Sequence, residues 1–74
     1  MSSVIFETPS IQIGKMVRER RLELGWTQLQ LAEFAGVRQA TISSLEAADE
    51  GVKMQTVNKV LIMLGLVSLT PEFK

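Results

Sequence analysis

Seventy-four residues with eight Lys/Arg, eight Asp/Glu, no His and no Cys bound one small domain, which buries only about 60% of the surface its unfolded chain would expose. That size leaves no room for a core and a deep catalytic pocket together; without Cys or His there is no disulfide, no thiolate nucleophile and no ordinary zinc ligand set, so no enzymatic activity, metal or cofactor is expected. A hydrophobic share of 46% against 22% charged residues places the chain among folded proteins, while a formal net charge of zero speaks on its face against a nucleic-acid partner.

At the N-terminus, Met1 to Glu7 has neither the basic start nor the apolar stretch of a secretory signal. The most apolar run, Val60 to Leu69, is broken by Gly65 and Ser68 and falls well short of the roughly 20 residues that span a bilayer. A soluble, cytoplasmic protein is expected. A core this small, without staples, also favours oligomerisation.

Val4 to Phe6 is a short β-prone run, followed by Thr8-Pro9. Thr8 can cap a helix whose first position is Pro9, where the missing N–H costs nothing. Helix one is expected over 9–24, with Ile13, Val17 and Leu24 on one stripe and Gly25 closing it. Next comes the clearest local signal, Trp26-Thr27-Gln28-Leu29-Gln30-Leu31. Thr27 and Gln30 form a capping box, and Trp26 and Leu31 a hydrophobic staple, opening helix two over 28–35. Gly36 ends it in a place suited to a left-handed residue.

Helix three is expected over 38–47, with Ile42 and Leu45 facing inward. After the turn Asp49-Glu50-Gly51, helix four is expected over 54–64, burying Val57, Val60, Leu61 and Leu64 before Gly65. Leu66 to Thr70 is again β-prone and ends at Pro71. The expected fold is therefore a single all-α domain of four helices with strand-like ends.

Two short helices joined through Gly36-Val37 are the arrangement of a helix-turn-helix. Small Ala32 permits their approach, and Leu31, Val37, Ile42 and Leu45 can fix their angle. The outward positions of helix three, Gln39, Ala40, Thr41, Ser43 and Ser44, are small or polar and uncharged. Gln can pair bidentately with adenine, Ala and the Thr methyl can meet a thymine methyl, and Ser or Thr can bond phosphates or bases. Arg38, at the N-terminal entry of that helix, is expected to contact DNA on docking geometry.

Ile13-Gly14, Val17, Arg21, Thr27-Gln28, Leu31-Ala32, Gly36-Val37, Gln39-Ala40-Thr41-Ile42-Ser43 and Glu46 together resemble the phage repressor/Cro, or XRE, family of helix-turn-helix proteins over about residues 11 to 66. Gly25-Trp26-Thr27-Gln28, the run Gln39 to Ser43 and the apolar tail after helix four resemble its HipB-type antitoxins. The resemblance implies a dimeric repressor of double-stranded DNA with a palindromic operator, and a HipA-like kinase toxin as partner. It implies that Gln28 bonds a phosphate with help from the helix N-terminus. Arg38, Gln39, Ala40, Thr41 and Ser44 would face the groove, and Ser43 would touch a phosphate. Arg21 and Glu46 would form a buried ion pair between helices one and three. Leu66, Val67, Ser68 and Leu69, within Leu66 to Thr70, would pair across the two-fold.

The chain departs from the family in two places. Arg20 stands where an apolar residue is usual, implying a rotated helix one or a snorkelling side chain. Asp49-Glu50 occupy a loop where some relatives place a basic contact, with Lys53 the one basic residue nearby. Lys15, Arg18 and Arg20 fit a phosphate-facing stripe, or with Glu19 and Glu23 a solvated surface, and both readings stay open. Leu22, Leu29, Phe34, Ile62 and Met63 exceed what one stripe per helix can bury. They keep a second function open, a protein-interaction module that does not read DNA. Across Gly14 to Ser44, five bases (Lys15, Arg18, Arg20, Arg21, Arg38) face three acids (Glu19, Glu23, Glu33), a net +2. Neutrality overall therefore does not exclude DNA, but it limits the non-specific share of binding.

Overall fold

The computed structural model describes residues 8–67, and four helices carry most of them: α1 (Pro9–Glu23), α2 (Gln28–Ala35), α3 (Gln39–Glu46) and α4 (Met54–Met63). Thr8 caps α1 through its hydroxyl, which accepts from the Ile11 N–H at 3.2 Å, with Pro9 at the first helical position. Thr27 and Gln30 complete both halves of the capping box on α2. No helix among the described residues is long and apolar enough to cross a membrane.

All four helices close with the same pair of backbone bonds, a Schellman motif. In α1, Gly25 N–H reaches the Leu22 carbonyl and Trp26 N–H the Arg21 carbonyl; corresponding pairs end α2 at Gly36, α3 at Ala48 and α4 at Gly65. This geometry places Leu24, Ala47 and Leu64 as caps, so α1, α3 and α4 each end one residue before the expected boundary. Arg38 likewise lies outside α3, as its extended N-cap. Three of the left-handed positions are glycines; the fourth is Ala48, at φ 66°.

The core is Val17 from α1, Leu31 and Ala32 from α2, Ile42 and Leu45 from α3, and Val57, Val60, Leu61 and the capping Leu64 around α4. The inner stripe of α1 differs from the expected one. Gly14, Val17 and Arg21 are its buried residues, while Ile13 and Leu24 are half-buried at its margin. Apolar periodicity misses this because neither glycine nor arginine signals burial by hydropathy. Gly14 has a steric reason to be there: a Cβ would stand 2.6 Å from the Leu45 carbonyl oxygen and 3.2 Å from that of Glu46. The missing side chain lets α1 lie directly on the end of α3.

The β-prone ends need separate statements. Val4 to Phe6, and Ser68, Leu69 and Thr70, lie outside the described residues, among which there is no strand. Leu66 and Val67 form a bend rather than a strand. Leu66 gives its N–H to Leu61 and packs half-buried on the chain's own core, whereas Val67 is 43% exposed. A strand requires a partner edge, and the described part of one chain offers none.

Two substitutions test this frame. Gly14→Ala should destabilise by about 1–3 kcal/mol through overpacking, lowering the urea midpoint at unchanged slope. Ala48→Gly relieves a left-handed penalty of about 1–2 kcal/mol against an unfolded-state entropy cost of about 0.4–1 kcal/mol. It should raise Tm by a few degrees, and a fall in Tm would contradict the assignment of strain to Ala48.

Candidate nucleic-acid interface

α3 is amphipathic with a sharp division. Ile42 and Leu45 point into the core, fully and almost fully buried, while Gln39, Ala40 and Ser43 are exposed and Thr41 and Ser44 half-buried. Its one acid, Glu46, is turned inward, with a side chain only 5% exposed. The outward face is thus free of carboxylates. Arg38 stands exposed at its N-terminal end and makes no side-chain capping bond.

A shallow open cleft of about 340 Å³ runs between α3 and the start of α4, and Arg38, Ala40, Thr41, Ser44, Lys53 and Thr56 line it. Folding therefore brings Lys53 onto the same cleft as Arg38, although the two lie in different loops. Thr56 was not legible as a site residue, because only the packing of α4 beside α3 places it there. Asp49 also lines this cleft, and its carboxylate accepts the Gly51 N–H at 2.8 Å in a turn. Among the described residues no cluster of acidic side chains could hold a metal ion.

Beneath the face, one carboxylate ties three segments together. Arg21 binds Glu46 in bidentate fashion, Nε to Oε2 at 2.6 Å and Nη2 to Oε1 at 3.0 Å, and its Nη1 donates to the Trp26 carbonyl at 2.8 Å. Gln28 donates from Nε2 to the same Glu46 Oε1 at 3.1 Å. The network joins α1, the turn before α2, α2 itself and α3. No buried side-chain nitrogen or oxygen among the described residues lacks a partner. The hydrogen bond to Glu46 holds the Arg21 guanidinium above the ordinary arginine range, against the opposing pull of burial. Because the folded-state value is raised, the Arg21 contribution does not fade as pH rises until the arginine range is passed.

Other expected positions separate. Arg20 leaves the candidate phosphate stripe: its Nε donates to the Leu64 carbonyl at 3.0 Å and its Nη1 to Glu23 at 3.3 Å. At this departure from the family pattern the half-exposed guanidinium caps the C-terminus of α4. Lys15 and Arg18 are exposed on α1. Trp26 is half-buried, and its ring meets Phe34 edge to face at 4.8 Å. Leu22, Leu29, Phe34 and Met63 are 39–53% exposed, while Ile62 is half-buried.

Two short helices linked through Gln28 and Glu46 to one buried network, the second presenting an acid-free polar face, define a helix-turn-helix domain. The family's sequence pattern matches residues 17–71, and the protein belongs to the helix-turn-helix family, of the XRE type. Within it, the chain is similar to antitoxin HipB of two Escherichia coli strains, 40% identical over 55 residues, which is 74% of this chain and 58% and 62% of those proteins. It is 44% identical over 41 residues to the competence pilus inhibition repressor of Acinetobacter baylyi, 55% of this chain and 37% of that one. A chain in the solved HipA-HipB-O2-O3 complex superposes with a TM-score of 0.72 at 30% identity, covering 99% of this chain and 100% of that one. The chain spans about three fifths of the length of the curated HipB relatives it matches.

The network makes a sharp expectation. Glu46→Ala leaves Arg21 buried without its counter-charge and should destabilise by about 3–5 kcal/mol. Replacing both partners, Arg21→Met with Glu46→Leu, should cost less than that single change. Chemical denaturation of the three proteins checks the order; a double variant less stable than Glu46→Ala would contradict it.

Proposed function

We propose that this protein is a sequence-specific, DNA-binding transcriptional repressor that acts as a dimer on a palindromic operator. Its wider role is that of the antitoxin of a HipA-like kinase toxin, repressing the operon that encodes both. The observation that carries this reading is the solvent face of α3, acid-free because Glu46 is turned inward and flanked by Arg38 and Lys53. A major groove presents base-edge donors and acceptors between two rows of phosphates, and such a face suits both.

In this reading α3 enters the groove. Arg38, Gln39, Ala40, Thr41 and Ser44 read base edges, while Ser43 and Gln28 bond phosphates. A second copy, joined through Leu66, Val67, Ser68 and Leu69, sets half-sites about 34 Å apart or a multiple of that. The similarity to HipB and to a competence repressor supports the regulatory role. The HipA-HipB complex supports the toxin partner, and the exposed Leu22, Leu29 and Phe34 offer apolar surface for protein contact. The reading is non-enzymatic and places the protein in the cytoplasm.

Selection from a random duplex library at about 150 mM salt should recover a palindrome, with a salt slope of about −0.9 for each phosphate neutralised. Gln39→Ala should then cost about 1–3 kcal/mol and relax the preference at one position. A pool without enrichment would instead favour a module that binds only protein. For the antitoxin role, co-expression with a kinase-like product of the neighbouring reading frame should relieve its toxicity; a neighbourhood with no such frame counts against that role.

A further inference from the structure

The start of α2 is where the buried network and the proposed DNA surface meet. Thr27 Oγ1 accepts the Gln30 N–H at 3.0 Å, Gln30 Oε1 accepts the Thr27 N–H at 2.9 Å, and the Thr27 carbonyl accepts the Leu31 N–H at 3.0 Å. The backbone N–H groups of Gln28 and Leu29 remain as first-turn donors without an intrahelical acceptor. The Gln28 side chain adds two more N–H donors and one carbonyl. One of those donors goes to Glu46 Oε1 at 3.1 Å, while Arg21 Nε and Nη2 engage both oxygens of the same carboxylate.

A carboxylate only accepts hydrogen bonds, so it is the nitrogen of the Gln28 amide that faces Glu46. A phosphodiester also only accepts. An untethered glutamine can turn either its oxygen or its nitrogen toward a phosphate, and the first of these repels. The tethered amide cannot make that exchange, and its second N–H is the side chain's remaining donor. Arg21 meanwhile neutralises Glu46, so the carboxylate can anchor Gln28 without setting an uncompensated negative charge behind a phosphate site.

We propose that Glu46 is a positioning residue for DNA binding: through its hydrogen bond to Gln28 it fixes that side-chain amide as a donor to one backbone phosphate at the start of α2. The ion pair and the phosphate contact are then a single relay, Arg21 to Glu46 to Gln28 to phosphate. This inference rests on the DNA-reading function proposed above.

The first test uses the unmodified protein without DNA. Side-chain amide ¹⁵N relaxation should show Gln28 NH₂ as rigid as the helix backbone, with exposed Gln39 as the mobile reference; equal mobility of the two overturns the proposal. The second test uses the operator recovered by selection, with single methylphosphonates placed at each phosphate in turn. The wild type should lose about tenfold in affinity at one phosphate near the start of α2. Gln28→Ala, and the folded Arg21→Met/Glu46→Leu variant, should each bind the native operator about tenfold more weakly and ignore that substitution. Combining the two should bring no further loss, since both remove the same contact. A folded double variant with the wild-type methylphosphonate profile would show Glu46 to be structural only. Recovery of no duplex at all overturns the DNA reading itself, whereas a bound operator with an unchanged profile overturns only the positioning role.

Discussion

The bidentate bond between Arg21 and Glu46 is the constraint on which the rest of the domain depends. α2 and α3 are eight residues each, too short to persist as isolated helices, and their mutual angle has to come from packing and polar links. A guanidinium and a carboxylate, both nearly buried, must pair in one geometry or carry a large desolvation penalty. Their requirement is directional where a hydrophobic contact is not. Arg21 also reaches the Trp26 carbonyl, so the turn leading into α2 is held by the residue that holds α3.

That pairing works only because α1 can approach. Gly14 sits two helical turns before Arg21 on the same inner stripe and brings the α1 backbone against the last carbonyls of α3. Any larger residue would push α1 outward and lengthen the reach of Arg21. The same inward turn of Glu46 leaves the solvent face of α3 without an acid. One residue thereby serves stability and surface chemistry together, and neutral net charge becomes compatible with a polar, phosphate-tolerant face. With little electrostatic excess, affinity in the proposed DNA-reading role would rest on base contacts and on a second copy.

Arg20 shows how a departure from a family pattern finds its own solution. Its head donates to the carbonyl of Leu64 at the end of α4 and pairs with Glu23 on its own helix. The end of α4 is thus tied to α1. The exposed Leu22, Leu29, Phe34 and Met63 lie outside the small core and leave apolar surface on the domain.

Local chemistry by itself determined much of this protein. Caps, staple and left-handed closures are set by residues three to five apart, so Thr8, Thr27, Gly25, Gly36 and Gly65 marked the helices in the bare sequence. Apolar spacing, the staple and the small residue at the helix-turn-helix together named the nine core residues, from Val17 to Leu64. Tertiary structure alone decided what depends on residues far apart in the chain: the burial of Gly14, the path of Arg20 to Leu64, the meeting of Arg38 with Lys53 and Thr56 on one cleft, and the anchoring of Gln28 on Glu46. A glycine or a long polar side chain has no periodic hydropathy to announce its place. Its position follows only when another helix arrives to exclude a Cβ or supply a hydrogen-bond partner.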